Sequence, residues 1–359
     1  MTDGPTGMNE GVSGGDTTRD DVVQGETRSR LAEFAKGSLR TQGLLIAIIV
    51  IALFFYWRRP AFFSTYNLLV LLRSMCSLSI ISFAQMMCLV SGELDLSVGA
   101  MYGLAATTFT VFWLGEGLSP VEMPLYLALA CTLLVVLAAG FITGFFTSVV
   151  KIPSFIASLG MLNIAQGFEL FIARSGNWNL KYNDSPPPQG EYDFFRLIGG
   201  SRPLGVPIQV FWLVFFLIVF YVLRHRTLFG FRLAAIGGNP DAARAANLPV
   251  TRYKMIVFLI VAFSAGTAGI LDLSYIGAIG PGSGLGLTFP VFAAVIVGGA
   301  SLSGGKGTVI GTLLGAALLS LLTNGMAVIG VGAYVKLIFV GAVTIGAVTL
   351  DHFGRGKRS

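Results

Sequence analysis

Apolar residues run along this chain in long blocks, separated by short polar breaks carrying Gly, Pro, Lys and Arg. The blocks predict helices over 42–57, 66–90, 95–114, 123–149, 153–173, 207–223, 253–273, 288–300, 307–330 and 333–351. Many approach the ~20 residues that cross a bilayer as a helix, although 288–300 is short for a full crossing. Inside hydrocarbon every backbone polar group must be satisfied internally, so only helices or a closed barrel can span. Barrel strands read as ~10-residue alternating segments, and these blocks are far longer. The pattern therefore predicts an all-α polytopic membrane protein with about ten transmembrane helices.

The same pattern divides the chain. Residues 1–41 are rich in Gly, Thr and Asp, cannot bury a core, and read as a disordered tail. They lack the charged, apolar, small-residue order of a cleaved signal, so the run beginning near Gly43 is expected to stay as an anchor. A transmembrane domain over 42–351 follows, then a short tail over 352–359. Two polar segments interrupt the domain, 174–206 and 224–252.

Composition supports this division. The chain of 359 residues is 54% hydrophobic and 12% charged, with mean hydropathy +0.77. Soluble domains run near one-quarter charged. Cys76, Cys88 and Cys131 all fall in apolar blocks without paired spacing, and His225 and His352 lie far apart, so neither a disulfide framework nor a metal site is expected.

Charge sets orientation. With the N-terminus placed inside, sixteen of the 24 Lys and Arg flank the inner side, six flank the outer side, and Arg73 and Lys336 fall within spans. Cytoplasmic loops carry the excess of Lys and Arg. Both termini and segment 224–252 are thus expected in the cytoplasm, with 174–206 outside. The formal net charge of +6 reads as topology, with no nucleic-acid partner implied.

Candidate chemistry is sparse. In "QMMCLVSGELDLSVGA" (85–100), Glu93 and Asp95 are the only charged residues between Leu78 and Leu114. An isolated carboxylate near the bilayer centre costs at least ~2.5–3.5 kcal/mol on insertion scales, so each must be wet or partnered. Asp95 suits an N-cap for a helix running through Val98, bonding the Ser97 and Val98 amides. Glu93 is less well explained by capping. It could line a wet cavity and accept bonds from substrate hydroxyls, or carry protons. Asn163, Gln166 and Glu169 fall within an arc of about 120° on one helix. Such an arc faces the bundle interior or a pathway, and both readings stay open. Asp272 and Lys336 are single charges near span ends and are not ranked as sites.

Within the inner segment, Gly237-Gly238-Asn239-Pro240 is a turn signal and "DAARAAN" (241–247) can form about two helical turns. Pro240 suits the first turn and Asn239 the N-cap. The result is a short helix presented to the cytoplasm, either docking on a partner or lying on the membrane. Its small face, Ala242, Ala243, Ala245 and Ala246, leaves room for close approach, and Arg244 offers a charge-assisted bond. "GGASLSGGKGT" (298–308) tempts a phosphate-loop reading, but that motif needs Gly, four residues, then Gly-Lys-Ser/Thr. Here Ala300 holds the first position and Gly307 follows Lys306. These glycines instead predict a tight turn between packed spans. In 174–206 a Pro run and several aromatics suit either a docking surface or a connecting loop.

Several stretches together resemble the permease subunits of bacterial ABC importers for ribose, xylose and related monosaccharides. They are "SGELDLSVGA" (91–100), "KIPSFIASLGML" (151–162), "GFRLAAIGGNPDAARAANLPVTRYK" (230–254) and "FAAVIVGGASLSGGKGTVIGTLLGAALLSLLTNGMAVIGV" (292–331). The likeness covers roughly 45–350. Glu93 stands where many members have Ile, and Pro290 and Asp272 also depart from the pattern. The resemblance implies the ten-span fold of the vitamin B12 importer (type II) and a homodimer in the bacterial inner membrane. It also implies an extracytoplasmic sugar-binding protein and an ATPase with tandem nucleotide domains that binds ATP and Mg, while this chain binds no cofactor. It places Gly237, Gly238, Asn239, Asp241, Ala243 and Arg244 against that ATPase. The expected function is thus a non-enzymatic pathway subunit for a monosaccharide or polyol, with Glu93, Asp95, Asn163, Gln166 and Glu169 along the substrate path. The rivals are a proton-coupled sugar carrier using Glu93 and Asp95, and a polytopic membrane enzyme.

Overall fold

The computed structural model describes residues 41–119, 122–174, 176–182 and 186–356. The tail expected over 1–41 lies outside the described residues up to residue 40, as do residues 357–359 of the C-terminal tail.

Helix α1 (Thr41–Arg58) stops at Arg59-Pro60, because Pro60 lacks the N–H that would continue the ladder. A 3-10 turn over Pro60–Phe63 leads into α2 (Thr65–Val90), which Ser64 caps by accepting from the Asn67 amide at 3.3 Å. There follow α3 (Val98–Leu114), α4 (Leu125–Ser148), α5 (Ser154–Ile172), α6 (Gln189–Gly199), α7 (Ile208–His225), α8 (Leu228–Gly238) and α9 (Pro240–Ala245). The chain closes with α10 (Val250–Ile276), α11 (Thr288–Val297), α12 (Val309–Val328) and α13 (Ala333–Gly356). Each apolar block of the sequence is helical, and α13 runs past its expected end. Among the described residues seven helices are long and apolar enough to cross a membrane: α1, α2, α4, α5, α7, α10 and α12. Helices α3 and α8 and residues 285–297 and 333–349 form shorter apolar helices. Helix α8 falls in a stretch that the sequence pattern left as polar.

Helices α2, α3 and α10 form the centre. From Cys76 to Val90 every residue of α2 is buried, and in α3 all but Phe112 are. A helix buried all round has no amphipathic stripe, so small residues rather than a hydrophobic face set its packing. Gly269 on α10 lies against the Tyr102 backbone of α3, where an added Cβ would come within 3.1 Å of the carbonyl carbon. Gly144 on α4 seats Phe258 and Met255 of α10 in the same way.

At the end away from α9, the described residues of segment 174–206 include a short strand and helix α6. Strands β1 (Trp178–Asn179) and β2 (Ala278–Ile279) pair antiparallel, with Trp178 opposite Ile279. Helix α6 sets Phe195 against Phe109 and Trp113, with ring centroids 4.9 and 5.1 Å apart. Its Glu191 accepts from Trp113 Nε1 at 2.8 Å and from the Leu125 amide at 3.0 Å.

At the opposite end, which carries the lysine and arginine excess, three segments meet backbone to backbone. The Gly305 amide donates to Val90 O at 2.9 Å. Gly237, in the last turn of α8, fits between them: a Cβ there would fall 2.8 Å from the Val90 carbonyl carbon and 2.9 Å from the Gly305 nitrogen. Gly92, Gly304 and Gly305 turn the chain at φ +81°, +80° and +76°, a region open to glycine at little cost. The "GGASLSGGKGT" stretch is thus a close-packing turn. The adjacent Gly238 has nothing within 4 Å of its Cβ position. We predict that Gly237→Ala destabilises the protein by about 1–3 kcal/mol, the usual cost of overpacking, while Gly238→Ala leaves stability near wild type. Thermal unfolding of both variants in detergent checks this, and equal midpoints would remove the close-packing argument.

Candidate functional site

The α2–α3 turn is built by its own sequence. Gly92 takes the left-handed conformation after Ser91, and the Glu93 amide closes onto Cys88 O at 3.1 Å. The Leu94 amide then donates to Ser154 Oγ at 3.1 Å, fixing the turn to the start of α5. Glu93, half-buried, forms an ion pair with Lys254 of α10. Asp95 is 1% exposed and accepts from the Ser97 amide at 2.9 Å and Ser97 Oγ at 2.5 Å. Asp95 therefore organises the first turn of α3 from two residues upstream. Ser97 itself occupies the N-cap, so the bond expected from the Val98 amide is replaced by one from the Ser97 hydroxyl.

The polar arc of α5 divides. Glu169 is 1% exposed and accepts from Thr107 Oγ1 of α3 at 3.2 Å and from the Gly282 amide at 3.0 Å. Gly103 makes room for it, since a Cβ there would lie 2.8 Å from the carboxylate. Asn163 is exposed and bonds Leu159 O of its own helix at 2.9 Å, and Gln166 is half-buried. One end of the arc ties α5 to α3 and to the segment before α11, and the other faces outward.

Asp272 was passed over by the sequence reading. It accepts from Ser77 Oγ of α2 at 2.6 Å and Tyr102 OH of α3 at 2.8 Å, so it joins the three central helices. Beside it the Arg73 guanidinium lies over the Tyr275 ring, 3.9 Å from the centroid. The signal was present, in two opposite intramembrane charges with Tyr275 three residues from Asp272, but only the fold brings Tyr102 and Ser77 to that level. Among the described residues no group of three or more His, Cys, Asp and Glu could hold a metal ion.

The α8–α9 segment is built as a presented element. Asn239 caps α9, its Oδ1 accepting from the Asp241 and Ala242 amides at 3.1 and 3.0 Å. Asp241 and Arg244 pair at 2.7 Å on the exposed side, with side chains 93% and 57% accessible. Ala243 corrects the expectation of a uniformly small outer face. It is 5% exposed and packs with Ile236, Val250, Leu248 and Tyr253, because a six-residue helix needs one inward residue to be held at all. Gly237 is buried in the backbone junction, whereas Gly238, Asn239, Asp241 and Arg244 lie outside it.

Comparison with known proteins agrees with this architecture. The family described as "Branched-chain amino acid transport system / permease component" matches residues 67–348. The chain is 31% identical over 329 residues to the ribose import permease protein RbsC of Escherichia coli K12, covering 91% of this chain and 98% of that one. It is 32% identical over 313 residues to RbsC of Bacillus subtilis, covering 86% and 91%. It is 29% identical over 318 residues to the xylose/arabinose import permease protein XylH of Sulfolobus acidocaldarius, covering 87% and 85%. The chain therefore belongs to the permease-component family, as a multi-pass membrane transport subunit and not an enzyme.

Proposed function

We propose that this chain forms the translocation pathway of an ATP-driven importer for a monosaccharide of the ribose/xylose kind or a polyol. The observation that carries the proposal is the α8–α9 segment. A short capped helix with an exposed charged face follows directly on α8, whose Gly237 lies in the glycine junction with α2 and the turn before α12. A partner pressing on α9 would act on the membrane helices through backbone contacts. The sugar class rests on what the ribose and xylose/arabinose relatives are named to import.

In this reading the basic face is cytoplasmic, both termini lie there, and the chain crosses the bacterial inner membrane in about ten spans of the vitamin B12 importer-type fold. Two copies assemble with an ATPase that binds ATP and Mg in tandem nucleotide domains, and with an extracytoplasmic sugar-binding protein. Segment 237–244 meets the ATPase through Asp241 and Arg244. Asn163 and Gln166, outward on α5, line the substrate path. Glu93 stands at its inner end, and Asp95 and Glu169 hold its walls. A proton-coupled carrier is disfavoured, since Glu93 is engaged by Lys254 and Asp95 by Ser97. Proteoliposomes holding the permease, its ATPase and the binding protein should import labelled sugar only with internal ATP and regardless of a protonophore. Uptake by this chain alone that a protonophore abolishes would overturn the reading.

Two predictions follow from the geometry. Arg244→Glu should leave folding intact and weaken ATPase co-purification by roughly tenfold or more, as loss of an interface arginine does, with sugar-stimulated hydrolysis falling in parallel. Ala243→Trp should instead destabilise the permease itself, because its site is filled by Ile236 and Val250. Normal docking and hydrolysis with Arg244→Glu would place the ATPase contact elsewhere. For the pathway, a background lacking Cys76, Cys88 and Cys131 is needed. In it, a cysteine at 163 should react with a small water-soluble thiol reagent, and a cysteine at 169 should stay protected in the resting state. Protection of both would assign Asn163 to helix packing.

A further inference from the structure

A cleft of about 620 Å³ opens on the basic face between the α4–α5 turn and the start of α10. Its walls carry four cations, Lys151, Arg244, Arg252 and Lys254. Two carboxylates are near enough to answer them. Glu93, also in the wall, is taken by Lys254, and Asp241 is taken by Arg244. Lys151 and Arg252 are exposed, and no ion pair is recorded for either among the described residues. About two positive charges thus remain unmatched.

Two helix N-termini point the same way in charge. Helices α5 and α10 have Pro153 and Pro249 as their N-cap residues, both in the cleft wall, and neither has a side-chain cap, although the Val250 amide already donates to Leu248 O at 2.8 Å. The first N–H groups of a helix have no intrahelical partner, and its N-terminus carries about half a positive charge. Helix α4 also ends here, but its last carbonyls are partly satisfied, Phe145 O by the Val149 and Val150 amides and Phe146 O by the Ile152 amide. A separate observation concerns hydroxyls. Thr147 and Ser148, in the same wall, are 7% and 8% exposed, and neither hydroxyl has a hydrogen-bond partner. Nearly every buried polar group finds one. The Thr147 and Ser148 hydroxyl oxygens are themselves closed to solvent beneath the wall, so the donors facing the cleft are the cations and the helix N-termini, a set suited to a tetrahedral oxyanion.

We propose that this cleft binds a phosphate group, supplied by an anionic lipid headgroup or by a soluble phosphate. Bound there, the phosphate ties the α4–α5 turn to α10 beside Arg244, next to the α8–α9 segment. The site does not depend on the importer reading, because it is tested on this chain alone.

The test is thermal unfolding of the full chain in nanodiscs. One arm adds inorganic phosphate to discs of phosphatidylcholine, and the other replaces one-fifth of that lipid with phosphatidylglycerol. A ligand that binds only the folded state raises the midpoint by mass action. The wild type should show the rise in at least one arm. A Lys151→Asn/Arg252→Gln double variant should need at least tenfold more probe for the same rise. Asn suits position 151 because Lys151 sits at φ +66°, where Asn is tolerated. A Lys181→Gln/Arg202→Gln variant at the opposite end should respond as wild type. A rise with inorganic phosphate assigns a soluble ligand, and a rise with phosphatidylglycerol alone assigns a headgroup. Arg252→Gln alone gives the same comparison if the double variant does not fold. No rise in wild type with either probe, or an undiminished rise in the Lys151→Asn/Arg252→Gln or Arg252→Gln variant, overturns the proposal.

Discussion

Where Val90 O accepts from the Gly305 amide, three chain segments meet with no side chain between them. The rest of the basic face depends on that approach. Helix α2 must end there, α8 must lay Gly237 into the gap, and the turn before α12 must fold back through two left-handed glycines. A side chain at Gly237 would separate α8 from the membrane helices and leave α9 attached mainly through Ala243 and its small apolar cluster. Tightly packed elements shift between discrete arrangements rather than deform continuously, so the α8–α2 contact at Gly237 leaves little slack between those two helices.

Above that junction the carboxylates order the centre. Glu93, Asp95, Glu169 and Asp272 sit where an unpartnered charge would cost several kcal/mol, and each has partners. Those of Glu93, Glu169 and Asp272 lie on a different element from the carboxylate. Helix α3 gains most from this. Asp95 starts it, Thr107 binds Glu169 of α5, and Tyr102 binds Asp272 of α10. A short apolar helix with no amphipathic stripe has no face to set its rotation by burial, so directional polar bonds and fitted glycines set it instead.

The sequence was informative where one residue type dictates local geometry. The apolar blocks became helices because hydrocarbon leaves the backbone no other choice. Asn239 and Pro240 start α9 by local chemistry alone, and the glycines of "GGASLSGGKGT" form the tight turn that their spacing predicts. What stayed hidden depends on tertiary neighbours. Ala243 looks like its neighbouring alanines until Ile236 and Val250 are folded under it. Asp272 gains its role only when Ser77 and Tyr102, 195 and 170 positions away, reach it. Asn163 and Glu169 share an arc, yet their surroundings differ because α3 lies along one edge of α5 and not the other.

The stretches that carry the family likeness have a common location. "SGELDLSVGA", the Gly237-bearing segment and "GGASLSGGKGT" meet at the glycine junction. "KIPSFIASLGML" joins them through Ser154, which binds the Leu94 amide. These stretches thus lie where backbones touch and few residue types fit. This is consistent with a family described by branched-chain amino acid transport whose relatives here are named for ribose, xylose and arabinose. One junction can serve several substrates if selection among them lies farther along α5 and in the segment before α11. Glu169 and the Gly282 amide tie those two segments together, away from the glycine junction.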